Sequence, residues 1–164
     1  MSDPSPPSNT TSATITGSEA DIVIANNGDA GSHDCIFCKI AKKEAPANII
    51  YEDENVMAFL GHTLVIPKYH YRNLASTPPL AMSHLGSVLP RIARAVCEAV
   101  DAPDFNVMQN NGIRAGQVVF HLHFHIMPRH PTDAKKFQGF KRLKRERING
   151  EEAGSLEERI KARL

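Results

Sequence analysis

From residue 35 onward the apolar positions fall into short runs divided by turn-forming residues, and their spacing distinguishes strands from helices. In "NIIYEDENVMAFL" two β-prone runs flank Glu52 to Asn55, the pattern of a hairpin. "HTLVIPK" predicts a third strand ending at Pro67. Thr77-Pro78-Pro79 then suits an N-cap followed by prolines in a first helical turn. Beyond it Leu85, Val88, Leu89, Ile92, Val96 and Ala99 recur at three- and four-residue intervals, which predicts an amphipathic helix bent at Pro90. "FNVMQN" predicts a fourth strand and Val118 to Met127 a fifth. Near the C-terminus Ser155 and Glu158 have capping-box spacing, and Leu156, Ile160 and Leu164 form one apolar stripe, so a short helix should dock there.

Residues 1–32 lack aromatics and any sustained period, which predicts a disordered tail, with Ile22-Val23-Ile24 as its one β-prone patch. The remainder reads as one domain over residues 33–132 and a basic extension over 133–164. Within that extension, from Ala134 to Ile148, Lys135, Lys136, Lys141, Arg142, Lys144, Arg145 and Arg147 stand against the single acid Glu146, a composition that fits a solvated helix face better than a nucleic-acid patch. A 164-residue chain with 41% hydrophobic and 23% charged residues is ordinary for a globular protein. Its formal net charge of +1 gives no field that would argue for nucleic acid or an anionic membrane as principal partner.

Residues 1–38 contain no Lys or Arg, unlike secretory and transit signals, and the apolar runs fall well short of the roughly 20 residues of a membrane span. The expectation is a cytoplasmic location, extending to the nucleus, with the Asn9-Thr10-Thr11 sequon silent. Cys35, Cys38 and Cys97 are odd in number and fit a reducing compartment rather than a disulfide framework.

Three groups of residues carry candidate chemistry. In "FHLHFHIMP" the histidines His121, His123 and His125 alternate with Leu122, Phe124 and Ile126, so on a strand the three imidazoles share one face. Several polar rings side by side each need a partner if buried, which points to metal or phosphate chemistry rather than packing. Cys35 and Cys38 have the spacing of a zinc half-site, which needs two further ligands; Cys97 lies at an apolar helical position, so histidines are the candidates. In "NNGIRAGQVVFH" Gly112 and Gly116 bracket a loop able to present backbone N–H groups to an anion, with Asn110 and Gln117 as neutral donors.

"HLHFHIM" fits the His-φ-His-φ-His-φ-φ motif, φ being apolar, and with "CIFCKI", "YEDENVMAFL", "GHTLVIPKYH" and "NNGIRAGQVVFHLHFHIMPR" in order the chain resembles the histidine triad family, in its HINT-like nucleoside phosphoramidase branch. The resemblance implies an α+β fold, the HIT-like fold, with an antiparallel sheet of about five strands packed with helices, usually in a homodimer whose subunits extend one another's sheets. It implies hydrolysis or transfer at the α-phosphate of a purine nucleotide, such as a nucleoside 5′-phosphoramidate or an adenylate. His123 matches the nucleophile that becomes a nucleotidyl-histidine, His125 a phosphate-contacting histidine, and His62 a histidine that helps protonate the leaving group. Asn110, Gly116 and Gln117 match phosphate or ribose contacts. Cys35, Cys38, His70 and His121 match the ligands of a structural zinc, the chemistry itself needing no metal.

Two departures from the family pattern stand out. Val118 occupies a position where many members carry a Ser or Thr near the phosphate, and between Leu60 and Gly61 the chain lacks a segment of the form Asp-Ile-x-Pro-x-x-Pro that supplies a ribose-gripping Asp. Gly61-His62 would instead make a two-residue hairpin loop. The alternatives are therefore a dinucleoside polyphosphate hydrolase, or a weakly active, zinc-stabilised nucleotide-binding protein.

Overall fold

The computed structural model describes residues 34–60, 63–131 and 149–164. Among them, five strands form one antiparallel sheet in the order β1-β2-β3-β5-β4: β1 (Ile49–Glu52), β2 (Val56–Phe59), β3 (Leu64–Pro67), β4 (Asp104–Gln109) and β5 (Phe124–Arg129). The helices are α1 (Ile36–Ala41), α2 (Pro79–Ala99) and α3 (Gly150–Lys161). This is the α+β architecture expected from the sequence. No helix among the described residues is long and apolar enough to cross a membrane.

The β1–β2 turn forms where the polar residues predict it. Asp53 Oδ1 accepts from the Asn55 and Val56 amides at 2.8 and 2.7 Å, and Tyr51 Oη donates to Asp53 Oδ2 at 2.6 Å, so one carboxylate closes the hairpin. Strand alternation then sorts the sheet into two faces. Ile50, Val56, Ala58, Val65 and Ile126 pack with Leu85, Ile92 and Val96 of α2 and Ile160 of α3. Met57, Phe59 and Ile66 point the other way, against Phe37 and Ile40 of α1.

Three boundaries differ from the sequence expectation. The fifth strand begins at Phe124 rather than Val118, because its ladders stop there: β4 ends at Gln109, opposite Phe124, and β3 pairs with it only through Leu64 and Val65. The Leu122 amide upstream donates to the Tyr71 carbonyl at 2.6 Å instead. Thr77 does not cap α2; Pro78 occupies the N-cap, and Thr77 Oγ1 donates to the Asn73 carbonyl at 2.8 Å. The C-terminal helix starts at Gly150, well before Ser155, because Asn149 and Glu152 form the capping box and the added turn buries Ala153.

Helix α2 runs unbroken across Pro90. Pro90 and Gly86 both lie on its exposed face, so the carbonyl that loses a donor there is open to water. The tail, Ile22-Val23-Ile24, Gly61-His62 and the basic run from Lys135 to Arg147 lie outside the described residues.

Candidate functional site

Two cysteines one helical turn apart begin the site. Cys35 is the N-cap of α1 and Cys38 lies inside it, a spacing that turns both thiols to one side. His70 arrives from the segment after β3, and His121 from the segment before β5. Cys38 Sγ is 3.2 Å from His70 Nδ1, and His121 Nδ1 is 3.5 Å from both Cys35 Sγ and Cys38 Sγ. All four donor atoms lie within 4.8 Å of one another, an arrangement that can hold a metal ion. The four candidate ligands, dispersed over 86 positions of the chain, are thus brought together.

The tautomer of His121 follows from its other nitrogen. Nε2 lies 2.9 Å from the Pro67 carbonyl, which can only accept, so Nε2 carries the hydrogen and Nδ1 presents a lone pair to the cluster. Burial pushes the His121 pKa down to about 4, against the backbone hydrogen bond to Pro67 and helped by neighbouring His70 and His123, so the ring is neutral, the ligating form. Burial, followed by the hydrogen bond and charge of Cys35, pushes the Cys38 thiol up to about 12. The Cys38 thiol therefore resists ionisation unless a cation neutralises it. Cys97 is free and buried, a core residue of α2.

The alternation of the histidine row persists although only its end lies in the ladder. Leu122 and Ile126 are wholly buried on the helix side, while His121, His123 and His125 occupy the opposite face. The rings of His123 and His125 lie 4.9 Å apart at 70°. His123 is 5% exposed, and its Nδ1 donates to the His121 carbonyl at 2.6 Å. That bond leaves the lone pair of the ring on Nε2. Burial lowers the His123 pKa, opposed by the same backbone bond, which favours a neutral, nucleophilic imidazole.

The glycine loop is built for an unusual backbone: Gly112 and Gly116 have φ of 87° and 84°, which side-chain-bearing residues rarely adopt. The amides of Gly116 and Gln117 donate to the Ile113 and Gly112 carbonyls, each at 3.0 Å. Asn110 lies against Gly116, its Nδ2 3.9 Å from where a Cβ on that glycine would stand. Gln117 is buried, with its amide held by the protein itself, and Val118 beside it is 75% exposed. His62 lies outside the described residues.

Sequence reasoning passed over Phe37, between the two cysteines. Its ring meets His121 and His123 edge-on at centroid distances of 5.8 and 5.2 Å, and so forms the apolar wall that desolvates both. An aromatic inside a Cys-x-x-Cys was the available signal.

Residues 42–132 match the HIT domain family, a span that begins just after the two cysteines. The Arabidopsis thaliana protein Adenylylsulfatase HINT3 is 43% identical over 108 residues, covering 62% of this chain and 55% of that protein, so the chain matches little more than half of that relative's length. Protein hit of Bacillus subtilis is 46% identical over 107 residues, 60% of this chain and 73% of that protein.

Among solved structures, a Hit-like protein from Bartonella henselae superposes with a TM-score of 0.71 at 32% identity, covering 82% of this chain and 98% of that one. A Zn-bound histidine triad family protein from Mycobacterium smegmatis gives a TM-score of 0.66 at 36% identity, covering 81% and 94%. With the family match extending over more than half of its residues, the histidine row in register on one face and the same fold in these relatives, this chain belongs to the histidine triad (HIT domain) family.

Proposed function

We propose that this chain is a nucleotide hydrolase acting at the α-phosphate of purine nucleotides, cleaving nucleoside 5′-phosphoramidates or adenylates through a nucleotidyl-histidine. The observation that carries this reading is the 2.6 Å bond from His123 Nδ1 to the His121 carbonyl, which fixes the ring and leaves Nε2 as the nucleophilic atom. Nε2 attacks phosphorus and the amine or acid departs with a proton supplied by His62. Water then opens the phosphoramidate and releases the nucleoside monophosphate. His125 contacts the phosphate, while Asn110, Gly116 and Gln117 belong to the loop that receives it. The relative named as an adenylylsulfatase makes adenylyl sulfate a natural second substrate to test. Full-length protein is expected to release AMP from adenosine 5′-phosphoramidate or adenylyl sulfate. AMP binding without any release would favour the binding-protein alternative instead.

For the metal we propose zinc, bound by Cys35, Cys38, His70 and His121. Zn–S and Zn–N bonds of ordinary length in a tetrahedron place sulfur and nitrogen about 3.6 Å apart. The observed 3.2 to 3.5 Å separations suit that polyhedron. Four protein ligands leave no open position, so the ion supplies no reaction step and acts by holding α1 and the segment around His70 against the histidine row.

The weak-activity alternative rests on the β2–β3 register. Phe59 pairs with Leu64, leaving only residues 60–63 to connect the strands, with no length for a ribose-gripping segment. Fewer groups then hold the nucleoside. Inserting a seven-residue segment of the Asp-Ile-x-Pro-x-x-Pro form after Leu60 should tighten AMP binding about tenfold in calorimetry; equal affinities would refute that account of the gap. Dinucleoside polyphosphate hydrolysis uses the same attack with a different leaving group.

We also propose a homodimer through β4. It is an edge strand, and Phe105 and Val107, opposite Pro128 and Ile126 on the face that α2 covers elsewhere, remain 47% and 43% exposed. Val107→Lys should shift sedimentation from dimer to monomer, and an unchanged sedimentation coefficient would contradict this interface.

A further inference from the structure

Gln117 lies in the loop that receives the anion, yet its side chain is turned inward. It is 2% exposed, Oε1 accepts from the Gly112 amide at 2.7 Å, and Nε2 donates to the Arg72 carbonyl at 2.6 Å and the Val119 carbonyl at 3.1 Å. Both amide hydrogens are therefore committed, and a substrate oxygen could engage them only by breaking bonds that hold the loop.

Those bonds lead to the metal ligands. Arg72 stands two residues after His70. Between them, the Tyr71 carbonyl accepts the Leu122 amide at 2.6 Å, and Leu122 lies between His121 and His123. The same segment is tied to the loop again where the Leu74 amide donates to Asn111 Oδ1 at 2.9 Å, and Arg72 stacks on Phe120 at 4.3 Å. A loop with two glycines at positive φ has much freedom to lose, so its order depends on such anchors.

We propose that Gln117 is a positioning residue rather than a substrate contact, and that it ties the anion loop to the His70–Leu74 segment so that metal binding at His70 orders the loop. This inference rests on the proposed zinc site. Because coupling between sites is reciprocal, releasing the loop must also weaken the metal.

The test uses Gln117→Met, which keeps the length of the side chain and removes its donors and acceptor, with Gln117→Ala as a second variant should Met fail to fold. Two quantities are measured on zinc-loaded full-length protein: amide hydrogen exchange, and zinc affinity by chelator competition. Exchange at Gly116 and Gln117, or at position 117 of the variant, should rise at least about tenfold while exchange in β2 stays unchanged, and the zinc dissociation constant should rise about fivefold. Loop exchange equal to that of the parent protein, or zinc affinity within about twofold of it, would overturn the coupling. A parent protein that binds no zinc would overturn the metal reading and this inference with it, an outcome distinct from normal zinc binding with an unaltered loop.

Discussion

His123→Asn is expected to lower kcat for adenosine 5′-phosphoramidate hydrolysis by on the order of 10⁴-fold or more, the scale seen when a covalent nucleophile is removed. Asparagine is the informative replacement because its amide can still donate toward the His121 carbonyl, as His123 Nδ1 does at 2.6 Å, while offering no nucleophilic nitrogen. The pocket wall beside Phe37 is then disturbed less than by alanine. His125→Ala should cost about 10² to 10³, the range for losing one donor that stabilises developing charge, because the attack itself survives. Steady-state AMP release distinguishes the two. Equal losses at His123 and His125, or a small loss at His123, would place the nucleophile elsewhere.

Removing the metal should have the largest effect on stability. An ion bound by the folded protein and not by the unfolded chain stabilises by about 4 kcal/mol when present at roughly a thousand times its Kd. For a domain of this size that corresponds to a fall in Tm of about 8 to 16 °C on chelation. Cys38→Ser should reproduce the fall and abolish the response to added zinc, since Cys38 lies within 3.5 Å of both histidine ligands. Differential scanning calorimetry with and without chelator checks this. An unchanged Tm together with less than about a tenth of an equivalent of bound zinc would reduce Cys35 and Cys38 to core thiols.

The elements that formed where the sequence placed them are those whose signals are local. The β1–β2 hairpin needs only Asp53 accepting two amides close in sequence, and the apolar stripe of α2 is continuous from Leu85 to Ala99. The start of β5 was not legible in this way. Val118 to Met127 is β-prone throughout, but a strand exists only where another strand supplies its hydrogen bonds, and pairing with both neighbours stops at Phe124, although β3 itself runs on to Pro67. The start of α3 is not local information, because two capping-box sequences lie close together, and the choice of Asn149 over Ser155 depends on burying Ala153 in tertiary contact.

At the site, the four candidate ligands that the structure brings together could be carried over from family resemblance, yet the roles of individual nitrogens could not. Which nitrogen of His121 faces the thiols is set by the Pro67 carbonyl, fifty-four positions away in the chain. Gln117 shows the opposite effect. Its place beside Gly116 suggests a substrate contact, while one of its hydrogen-bond partners, the Arg72 carbonyl, lies forty-five positions upstream.

The central claim is that His123 carries the nucleotide. Rapid mixing of the full-length protein with adenosine 5′-phosphoramidate, acid-free quenching and peptide mass mapping tests it most directly. An adenylyl adduct on the peptide carrying His123, formed before steady-state AMP release and missing from His123→Asn, is the predicted result. AMP release with no adduct on any timescale, or with the adduct on another residue, would contradict it.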